Sequence, residues 1–223
     1  MSERVRLVVV GASGFGRESL DVVEAMVAAD EPLELVGVVD DGPAPRNLER
    51  LSARGVRYLG TIDDWLGAPS LASRYVLGIG EPATRRRLVA RLDAAGVRPL
   101  SVVHPSATFG ARSHVGEGTV VCAGAAVSTN VRFGRHVHVN PNATIGHDAV
   151  LEDFVSVNPS AVVSGEVRVG AGTLVGANAT ILQSLSVGED AVVGAGAVVT
   201  RDSPDGVVAV GVPARFRPER QEA

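Results

Sequence analysis

The sequence predicts a Rossmann-like α/β half domain at residues 1–96, followed at 97–223 by a coil of hexapeptide repeats. In the first part, apolar strand-like runs alternate with helical patterns, which predicts a parallel sheet with helices packed on it. In the second part, every sixth residue from Val103 to Val199 is apolar, at seventeen positions without exception. A period of six fits neither an amphipathic helix nor a lone strand. It is typical of hexapeptide repeats, in which three units form one triangular coil, so the seventeen units predict between five and six coils.

The N-terminal part begins with a strand, a glycine turn and a helix. Val5–Val10 is an apolar run, GASGFG occupies 11–16, and a helical pattern of apolar residues follows through Val27. A second strand, LELVGVVD, ends at Asp40 and Asp41, and the polar GPAPRN segment after it is predicted to form a loop. The remaining predicted elements are a short strand at 56–59, a short helix capped by Thr61, a strand at 75–79 and a helix at 83–95 closed by Gly96.

This order of elements amounts to half of a dinucleotide-binding fold, which needs two βαβαβ halves. The chain then crosses into the coil over residues 99–105. After Val199 the six-residue register stops, and TRDSPDGVVAVGVPARF is predicted to form a turn and a strand that cover the last coil. An open coil end would leave unpaired backbone groups and apolar surface, so a cover is physically required. Residues 215–223 are charged and are predicted to fray.

Composition narrows the class of protein. The 223 residues carry a net charge of -4 and only 4% aromatic residues, which argues against a nucleic-acid-binding surface. The single cysteine, Cys122, excludes an internal disulfide framework and is consistent with a reducing compartment. The N-terminal apolar run is too short for a signal peptide or a membrane span. We therefore expect a cytoplasmic protein that binds neither nucleic acid nor membrane.

The glycine turn at 11–16 could bring backbone N–H groups and a helix N-terminus close to a phosphate. Its spacing, G-x-x-G-x-G, differs from the dinucleotide fingerprint, so ligand binding and a plain tight turn both stay open. Asp40 lies 24 residues after Gly16, near where an acidic residue would meet a ribose hydroxyl. With only half of the fold present, a nucleotide or nucleotide sugar fits better than a dinucleotide. Three arginines at 85–87 open the last helix, a pattern that favours a solvated face, with phosphate contact as the alternative.

Three histidines, His136, His138 and His147, lie close together in sequence. The γ-class carbonic anhydrases hold a metal with three histidines on this kind of coil, but two of theirs have a spacing that no pair here shows, so no metal is predicted. His147 occupies the third place of the hexad IGHDAV, on an outer corner, and Asp148 follows it. A neighbouring carboxylate stabilises the imidazolium that a general base forms near neutral pH. A plain surface histidine and a general base both fit this pattern.

Six motifs in order support a resemblance over nearly the whole chain: the glycine turn, VVDDG, LGIGEPATRRR, the hexads, HDAVLEDF and GVPAR. Together they resemble the bacterial sugar acyltransferases related to the sialic-acid O-acetyltransferases and the bacillosamine-pathway amino-sugar N-acetyltransferase. Members of that family join a small nucleotide-binding α/β domain to a left-handed parallel β-helix and work as trimers. The resemblance therefore implies a homotrimer that uses acetyl-CoA as acyl donor and needs no metal.

The resemblance also implies roles for individual residues. His147 matches the proton acceptor, Asp148 its acidic neighbour and Asn140 an asparagine near that site. The predicted substrate-binding residues are Ser13, Gly14, Phe15, Asp40, Asp41, Gly80 and Arg85, and the predicted acyl-CoA-binding residues are Ser156, Gly176, Ala177 and Ala195. Three positions depart from the family pattern, since Phe15 and Ser156 stand where histidine is usual and Glu81 stands where asparagine often follows the glycine.

These residues imply an acyl-CoA-dependent acyltransferase, with acetyl the expected group, that acts on the amino group of a nucleotide-linked amino sugar. Transfer would be direct, with His147 as the general base. Two alternatives stay open. One is an O-acetyltransferase acting on sialic acid or a related sugar, and the other is a trimeric nucleotide-binding scaffold without catalytic activity.

Overall fold

The computed structural model describes residues 4–68 and 72–218, and the chain divides into two compact units, Met1–Pro105 and Ser106–Ala223. The N-terminal unit contains a four-stranded parallel sheet in the order β2-β1-β3-β4. Its strands are β1 (Val5–Val10), β2 (Leu33–Val39), β3 (Arg74–Leu77) and β4 (Arg98–Pro99), and its helices are α1 (Gly14–Ala28), α2 (Pro45–Ala53), α3 (Ile62–Leu66) and α4 (Pro82–Ala94). The predicted α/β unit is confirmed.

The core of this unit forms around β1, which pairs with both β2 and β3. Leu7, Val8 and Val9 of β1 are fully buried, as expected for the inner strand of a parallel sheet whose faces are covered. Helix α1 places Leu20 and Val23, also fully buried, on its inward side. The loops that follow the strands are thereby held at the carboxyl edge of the sheet, where α/β proteins bind their ligands.

Details of the N-terminal unit differ from the prediction. The GPAPRN segment is only partly a loop, because α2 begins at Pro45 and proline is favoured at the first position of a helix. The predicted strand at 56–59 reduces to an isolated bridge between Val38 and Tyr58. The division between the two units falls after Pro105 rather than after Gly96, because β4 pairs with β3 and so extends the N-terminal sheet.

Sixteen of the seventeen hexads form two-residue strands, and the remaining one, at His114, forms only a bridge to Arg132. The strands are β5 (Val102–Val103), β6 (Thr108–Phe109), β7 (Val120–Val121), β8 (Ala126–Val127), β9 (Arg132–Phe133), β10 (His138–Val139), β11 (Thr144–Ile145), β12 (Val150–Leu151), β13 (Ser156–Val157), β14 (Val162–Val163), β15 (Arg168–Val169), β16 (Leu174–Val175), β17 (Thr180–Ile181), β18 (Ser186–Val187), β19 (Val192–Val193) and β20 (Val198–Val199). Each coil takes eighteen residues, so that residue 138 of β10 pairs in parallel with residue 156 of β13.

Within the C-terminal unit the strands stack into three parallel sheets, in the orders β7-β10-β13-β16-β19, β6-β8-β11-β14-β17-β20 and β9-β12-β15-β18. The second residue of each strand faces the interior, and from Val121 to Val199 every one of these residues is at most 4% exposed. The first residue of each strand consequently points away from the coil interior, although Val120, His138 and Ser156 are nevertheless buried. In the first coil the pattern is weaker, since Phe109 is 37% exposed.

The corners of the coil turn through residues with left-handed backbone conformation. One column of corners consists of Arg112, Asn130, Asp148, Glu166 and Ser184, whose φ angles lie between 58° and 61°. Asparagine and aspartate adopt this conformation more readily than most residues. Because the five residues are one coil apart, their side chains follow one another along the same edge of the coil. We call this set the corner column.

The last coil is covered by a hairpin. Strand β21 (Val207–Val210) runs parallel to β19, and β22 (Arg215–Pro218) runs antiparallel to β21. The predicted cover is confirmed, and the expected fraying at 215–218 is wrong because β22 pairs along its length; residues 219–223 lie outside the described part of the chain. None of the helices in 4–68 and 72–218 is long and apolar enough to cross a membrane.

Candidate active site

His147 and Asp148 lie together on the corner between β11 and β12. The imidazole Nδ1 of His147 is 2.7 Å from the Asp148 carboxylate Oδ2. Both side chains face solvent, at 59% and 46% exposure. The backbone is fixed beneath them, because the Asp148 N–H donates to the Thr129 carbonyl at 3.0 Å and the His147 carbonyl accepts from Glu166 at 2.8 Å. The corner therefore presents an exposed imidazole on a rigid support.

Asn130, one coil earlier in the corner column, holds the other oxygen of this carboxylate. Its Nδ2 donates to Asp148 Oδ1 at 3.0 Å. The hydrogen bond from His147, and after it the one from Asn130, lowers the pKa of Asp148 below its ordinary value. An ionised carboxylate can only accept, so this contact assigns the imidazole hydrogen to Nδ1. Nε2 is then left as the proton acceptor, which is the atom a general base uses.

Replacing Asn130 with glycine tests this network, because glycine keeps the left-handed backbone while the amide is lost. We expect the pKa of Asp148 to rise toward its ordinary value, since one of its two lowering hydrogen bonds disappears. The rise is expected to be smaller than in His147→Ala, which removes the larger cause. NMR titration of the Asp148 carboxyl carbon measures both shifts, and equal titration curves for Asn130→Gly and wild type would contradict the contact. Stability linked to this carboxylate is present above its ordinary pKa and lost as pH falls through the lowered value.

A pocket of about 400 Å³ adjoins Asp148 and is lined by Arg112, Asn130, Arg132, Asp148 and Val150. Both arginines are exposed in the C-terminal unit. Guanidinium groups bind carboxylates and phosphates through paired N–H donors. The surface beside the imidazole is therefore polar and suited to a ligand with anionic groups.

Asn140, the third predicted catalytic residue, lies in the wall of the coil. It is 6% exposed, and its Nδ2 donates to the Val157 carbonyl at 3.1 Å and reaches Asn158 Oδ1 at 3.4 Å. Both partners belong to the next coil, so the side chain links successive coils. Among the hydrogen bonds of the described residues, none joins Asn140 to His147 or Asp148. The structure thus brings together two of the three predicted catalytic residues.

The predicted acyl-CoA-binding residues lie further along the coil. Ser156 is 1% exposed in β13, so its side chain does not reach solvent in the single chain. Gly176 permits a close approach of two coils, since a Cβ there would lie 2.6 Å from the Ala195 backbone nitrogen. Ala177 and Ala195 occupy equivalent positions one coil apart, and the Ala177 carbonyl accepts from Gly196 at 2.9 Å. Their small side chains leave room along this edge of the coil.

The glycine turn of the N-terminal unit is shaped by backbone packing. Gly11 has φ 111°, and a Cβ on Gly16 would lie 1.9 Å from the Gly11 carbonyl oxygen, so neither position admits a side chain. Ser13 is the residue before α1 and makes no side-chain cap hydrogen bond. Gly14 is exposed and Phe15 half-buried. The N-terminus of α1 thus lies at the carboxyl edge of the sheet without a side-chain cap from Ser13, and helix N-termini favour anions.

The two aspartates after β2 hold neighbouring segments in place. Asp40 accepts from the backbone N–H groups of Ala12 at 2.8 Å and Gly42 at 2.9 Å, and so ties the glycine turn to the end of β2. Asp41 accepts from the Ile62 N–H at 2.9 Å and pairs with Arg91 at 2.6 Å. Both carboxylates have protein partners, which gives them a supporting function that the sequence analysis did not predict.

Arg85 corrects the prediction most clearly. Its side chain is fully buried, whereas the sequence pattern favoured a solvated face and the site prediction made it a substrate contact. Its guanidinium donates to the carbonyls of Ile79 at 3.1 Å and Gly80 at 2.8 Å, and burial lowers its pKa to about 9. Arg85 therefore stabilises the loop after β3 from the buried side, as a brace between α4 and the two carbonyls. Gly80 itself is exposed. Glu81 caps α4, accepting from Ala83 and Thr84.

Removing this brace is expected to destabilise the N-terminal unit. Arg85→Met fills much of the same volume but leaves the Ile79 and Gly80 carbonyls without the guanidinium, so we expect the free energy of unfolding to fall by about 2–4 kcal/mol. Arg86→Met, at an exposed neighbouring position of α4, serves as the matched control and is expected to change it by less than about 0.5 kcal/mol. Urea unfolding measures both, and equal stability of the two variants would show that Arg85 has no bracing function.

The remaining histidines do not join this site. His136 is buried and stacks on Phe154 with ring centroids 5.5 Å apart, and His138 is buried in β10. In 4–68 and 72–218, no three residues among histidine, cysteine, aspartate and glutamate are placed to hold a metal ion. Two residues beside His147 and Asp148 were not predicted from the sequence: Asn130, which donates to Asp148, and Gly165, where an added Cβ would lie 2.6 Å from His147 Nε2. Both are one coil of eighteen residues from the pair His147 and Asp148, so adding and subtracting one coil length would have found them.

Two family models and one curated relative match parts of this chain. The model of the PglD N-terminal domain matches residues 6–92, and that of the hexapeptide repeat of succinyl-transferase matches residues 166–201. The chain is 29% identical over 147 residues to GDP-perosamine N-acetyltransferase of Escherichia coli O157:H7. That match covers 66% of this chain and 64% of the length of the relative.

Solved structures match over almost the full length. PerB from Caulobacter crescentus, in complex with CoA and GDP-perosamine, is 30% identical with a TM-score of 0.82, covering 95% of this chain and 96% of that one. The acetyltransferase domain of PglB from Neisseria gonorrhoeae FA1090, in complex with acetyl coenzyme A, is 28% identical with a TM-score of 0.82, covering 96% and 100%. The predicted fold, an α/β unit followed by a left-handed β-helix, is confirmed by these likenesses.

Proposed function

Because this chain belongs to the bacterial sugar N-acetyltransferases that join a PglD-type N-terminal domain to a left-handed hexapeptide β-helix, we propose that it acetylates the amino group of a nucleotide-linked amino sugar with acetyl-CoA as donor. The observation that carries the proposal is the exposed imidazole of His147, whose Nδ1 is bound by Asp148 at 2.7 Å and whose Nε2 is left as the proton acceptor. An acceptor at an exposed corner is what an attacking amine needs.

The proposed reaction is a direct transfer. Nε2 of His147 accepts a proton as the sugar nitrogen attacks the thioester carbonyl carbon, so that a carbon–nitrogen bond forms and the carbon–sulfur bond breaks. The electron pair of the broken bond leaves on the sulfur of CoA. The Asp148 carboxylate stabilises the imidazolium, which passes its proton to the leaving thiolate or to solvent. No side chain carries the acetyl group, and Cys122 is buried.

We assign the nucleotide to the N-terminal unit. Support comes from the uncapped N-terminus of α1, the exposed Gly14 and the close-packed glycine turn, which together form a surface that a diphosphate could approach. GDP-perosamine is the first candidate substrate, because the similar PerB was solved with it and the Escherichia coli relative bears its name. Phe15 and Glu81, which depart from the family pattern in this unit, are the positions at which another sugar or nucleotide would be selected.

We further propose that the protein acts as a homotrimer in the cytoplasm. Support for self-association comes from the sheet that contains β11, whose outward column is free of charged residues: Thr108, Ala126, Thr144, Val162, Thr180 and Val198. Charge is depleted at the centre of protein interfaces. His147 follows β11 directly, so a neighbouring subunit on this face would border the site. Light scattering of the purified protein tests the proposal, with a mass of three chains expected.

The function is tested by following free thiol release from acetyl-CoA with a panel of acceptors. GDP-, UDP- and dTDP-linked amino sugars are offered in parallel with sialic acid, and the products are analysed by mass spectrometry. We expect release with a nucleotide-linked amino sugar and an acetyl group on its nitrogen. Release with sialic acid alone would instead indicate an O-acetyltransferase, and CoA-independent nucleotide binding without any transfer would indicate a scaffold.

A further inference from the structure

Gly165 lies directly against the ring of His147. The two residues are one coil apart, and a Cβ built on Gly165 would come within 2.6 Å of His147 Nε2, 2.7 Å of Cε1 and 3.0 Å of Cδ2. All three nearest atoms thus belong to the imidazole. Side chains in folded proteins do not approach this closely, so the ring occupies the space in which any residue other than glycine would place its Cβ.

The backbone conformation at this position gives no separate reason for glycine. Gly165 is absent from the residues with positive φ, whereas Gly118, whose Cβ would meet the ring of His136, has φ 74°. Elsewhere in the coil, at Gly146 or Gly176 for example, an added Cβ would strike backbone atoms of the next coil. Among the described glycines with ordinary φ, Gly165 is the one whose Cβ would meet a histidine ring. Its missing side chain therefore serves the imidazole.

The backbone around Gly165 cannot yield easily. The next residue, Glu166, donates its N–H to the His147 carbonyl at 2.8 Å, and the Gly165 carbonyl accepts from Ser184 at 2.9 Å. These bonds tie the position to the coil before and the coil after. A larger residue at 165 would displace the ring or cover Nε2, rather than shift the coil.

We propose that Gly165 is a positioning residue for the general base. Its missing side chain leaves the space in which the imidazole of His147 lies, while Asp148 binds the ring through Nδ1. This inference rests on the proposed function. The hydrogen bond at Nδ1 sets the direction of the ring, and the space left by the missing side chain of Gly165 keeps Nε2, the atom that receives the proton, accessible. A displacement of about 1 Å at a reacting group can lower a rate by about 10²-fold.

The test is a double-mutant cycle of Gly165→Ala and His147→Ala, measured with acetyl-CoA and GDP-perosamine or whichever acceptor supports thiol release. Gly165→Ala alone is expected to lower kcat by about 10- to 10²-fold while CoA affinity is retained. In the His147→Ala background the same change is expected to alter kcat by less than about twofold, because the ring it would displace is gone. An equal loss in both backgrounds would overturn the proposal. Gly67→Ala, at an ordinary φ where an added Cβ would only touch the carbonyl oxygens of Asp63 at 3.4 Å and Asp64 at 3.6 Å, is the control away from the site and is expected to leave kcat unchanged.

Thermal unfolding of the same four proteins gives a readout that needs no activity. Gly165→Ala is expected to lower Tm in the wild-type background and to leave it unchanged in the His147→Ala background, where alanine fits. If Gly165→Ala alone fails to fold, the double variant is expected to fold, and its failure would contradict the contact. If the wild type transfers acetyl to no acceptor, the proposed function is wrong, but the Tm values of the four proteins still test the contact between Gly165 and His147. If Gly165→Ala changes Tm equally in both backgrounds, the contact is wrong, and the transfer activity of the wild type is unaffected by that result.

Discussion

His147→Ala is expected to lower kcat by about 10²- to 10⁴-fold, the contribution typical of a positioned general base. The physical reason is that Nε2 is the proton acceptor left on the exposed corner once Nδ1 is bound to Asp148 at 2.7 Å. Without it, the attacking nitrogen must lose its proton to water. Steady-state thiol release from acetyl-CoA measures the loss, and CoA affinity from isothermal titration is expected to stay unchanged.

A histidine elsewhere on the coil provides the control. His114 is exposed and lies in the hexad that forms only a bridge, so His114→Ala is expected to keep kcat within about twofold of wild type. Wild-type turnover in His147→Ala would remove the residue from the mechanism. Loss of CoA binding in that variant would instead make it a binding residue.

Asp148→Asn is expected to have the second largest effect, a loss in kcat/KM on the order of 10²-fold. An amide lacks the charge that stabilises the imidazolium, and its NH2 group facing Nδ1 would favour the tautomer with hydrogen on Nε2, which cannot accept a proton. The surviving activity is expected to show a pH–rate profile whose rising limb lies at lower pH. Initial rates between pH 5 and 9 measure this shift.

Glu166→Gln is the matched control for Asp148→Asn, because Glu166 is the next carboxylate of the corner column. Its carboxylate is turned to Ser184, whose Oγ donates to it at 2.8 Å. The control removes the same charge one coil away and is expected to leave the profile unchanged. Superimposable profiles for wild type and Asp148→Asn would exclude the carboxylate from catalysis.

The coil could be predicted because its signal is repeated in every hexad. An apolar residue recurs every six positions, seventeen times, and a small or apolar residue follows four places after each of the first sixteen, so the strand and corner pattern is signalled in every hexad. Local signals also sufficed for α3, where Thr61 and Asp64 form the predicted cap through reciprocal side-chain to backbone bonds. Both features depend on residues close together in sequence.

The functions of the N-terminal side chains could not be predicted in the same way. Arg85 carries a charge in a run of three arginines, and nothing local distinguishes the one that turns inward to the Ile79 and Gly80 carbonyls. The ties from Asp40 to Ala12 depend on how β1 and β2 pair. Asn130 and Gly165 are a different case, since the coil length of eighteen residues predicts both once His147 and Asp148 are chosen.

Acetyl transfer to nitrogen with His147 as base separates amine acceptors from hydroxyl acceptors. The decisive measurement compares GDP-perosamine with the same GDP sugar bearing a hydroxyl in place of the amine, using wild type and His147→Ala. We expect an N-acetylated product and matching thiol release with the amine and wild type only. Equal acetylation of the hydroxyl sugar, or undiminished transfer by His147→Ala, would rule out this reaction.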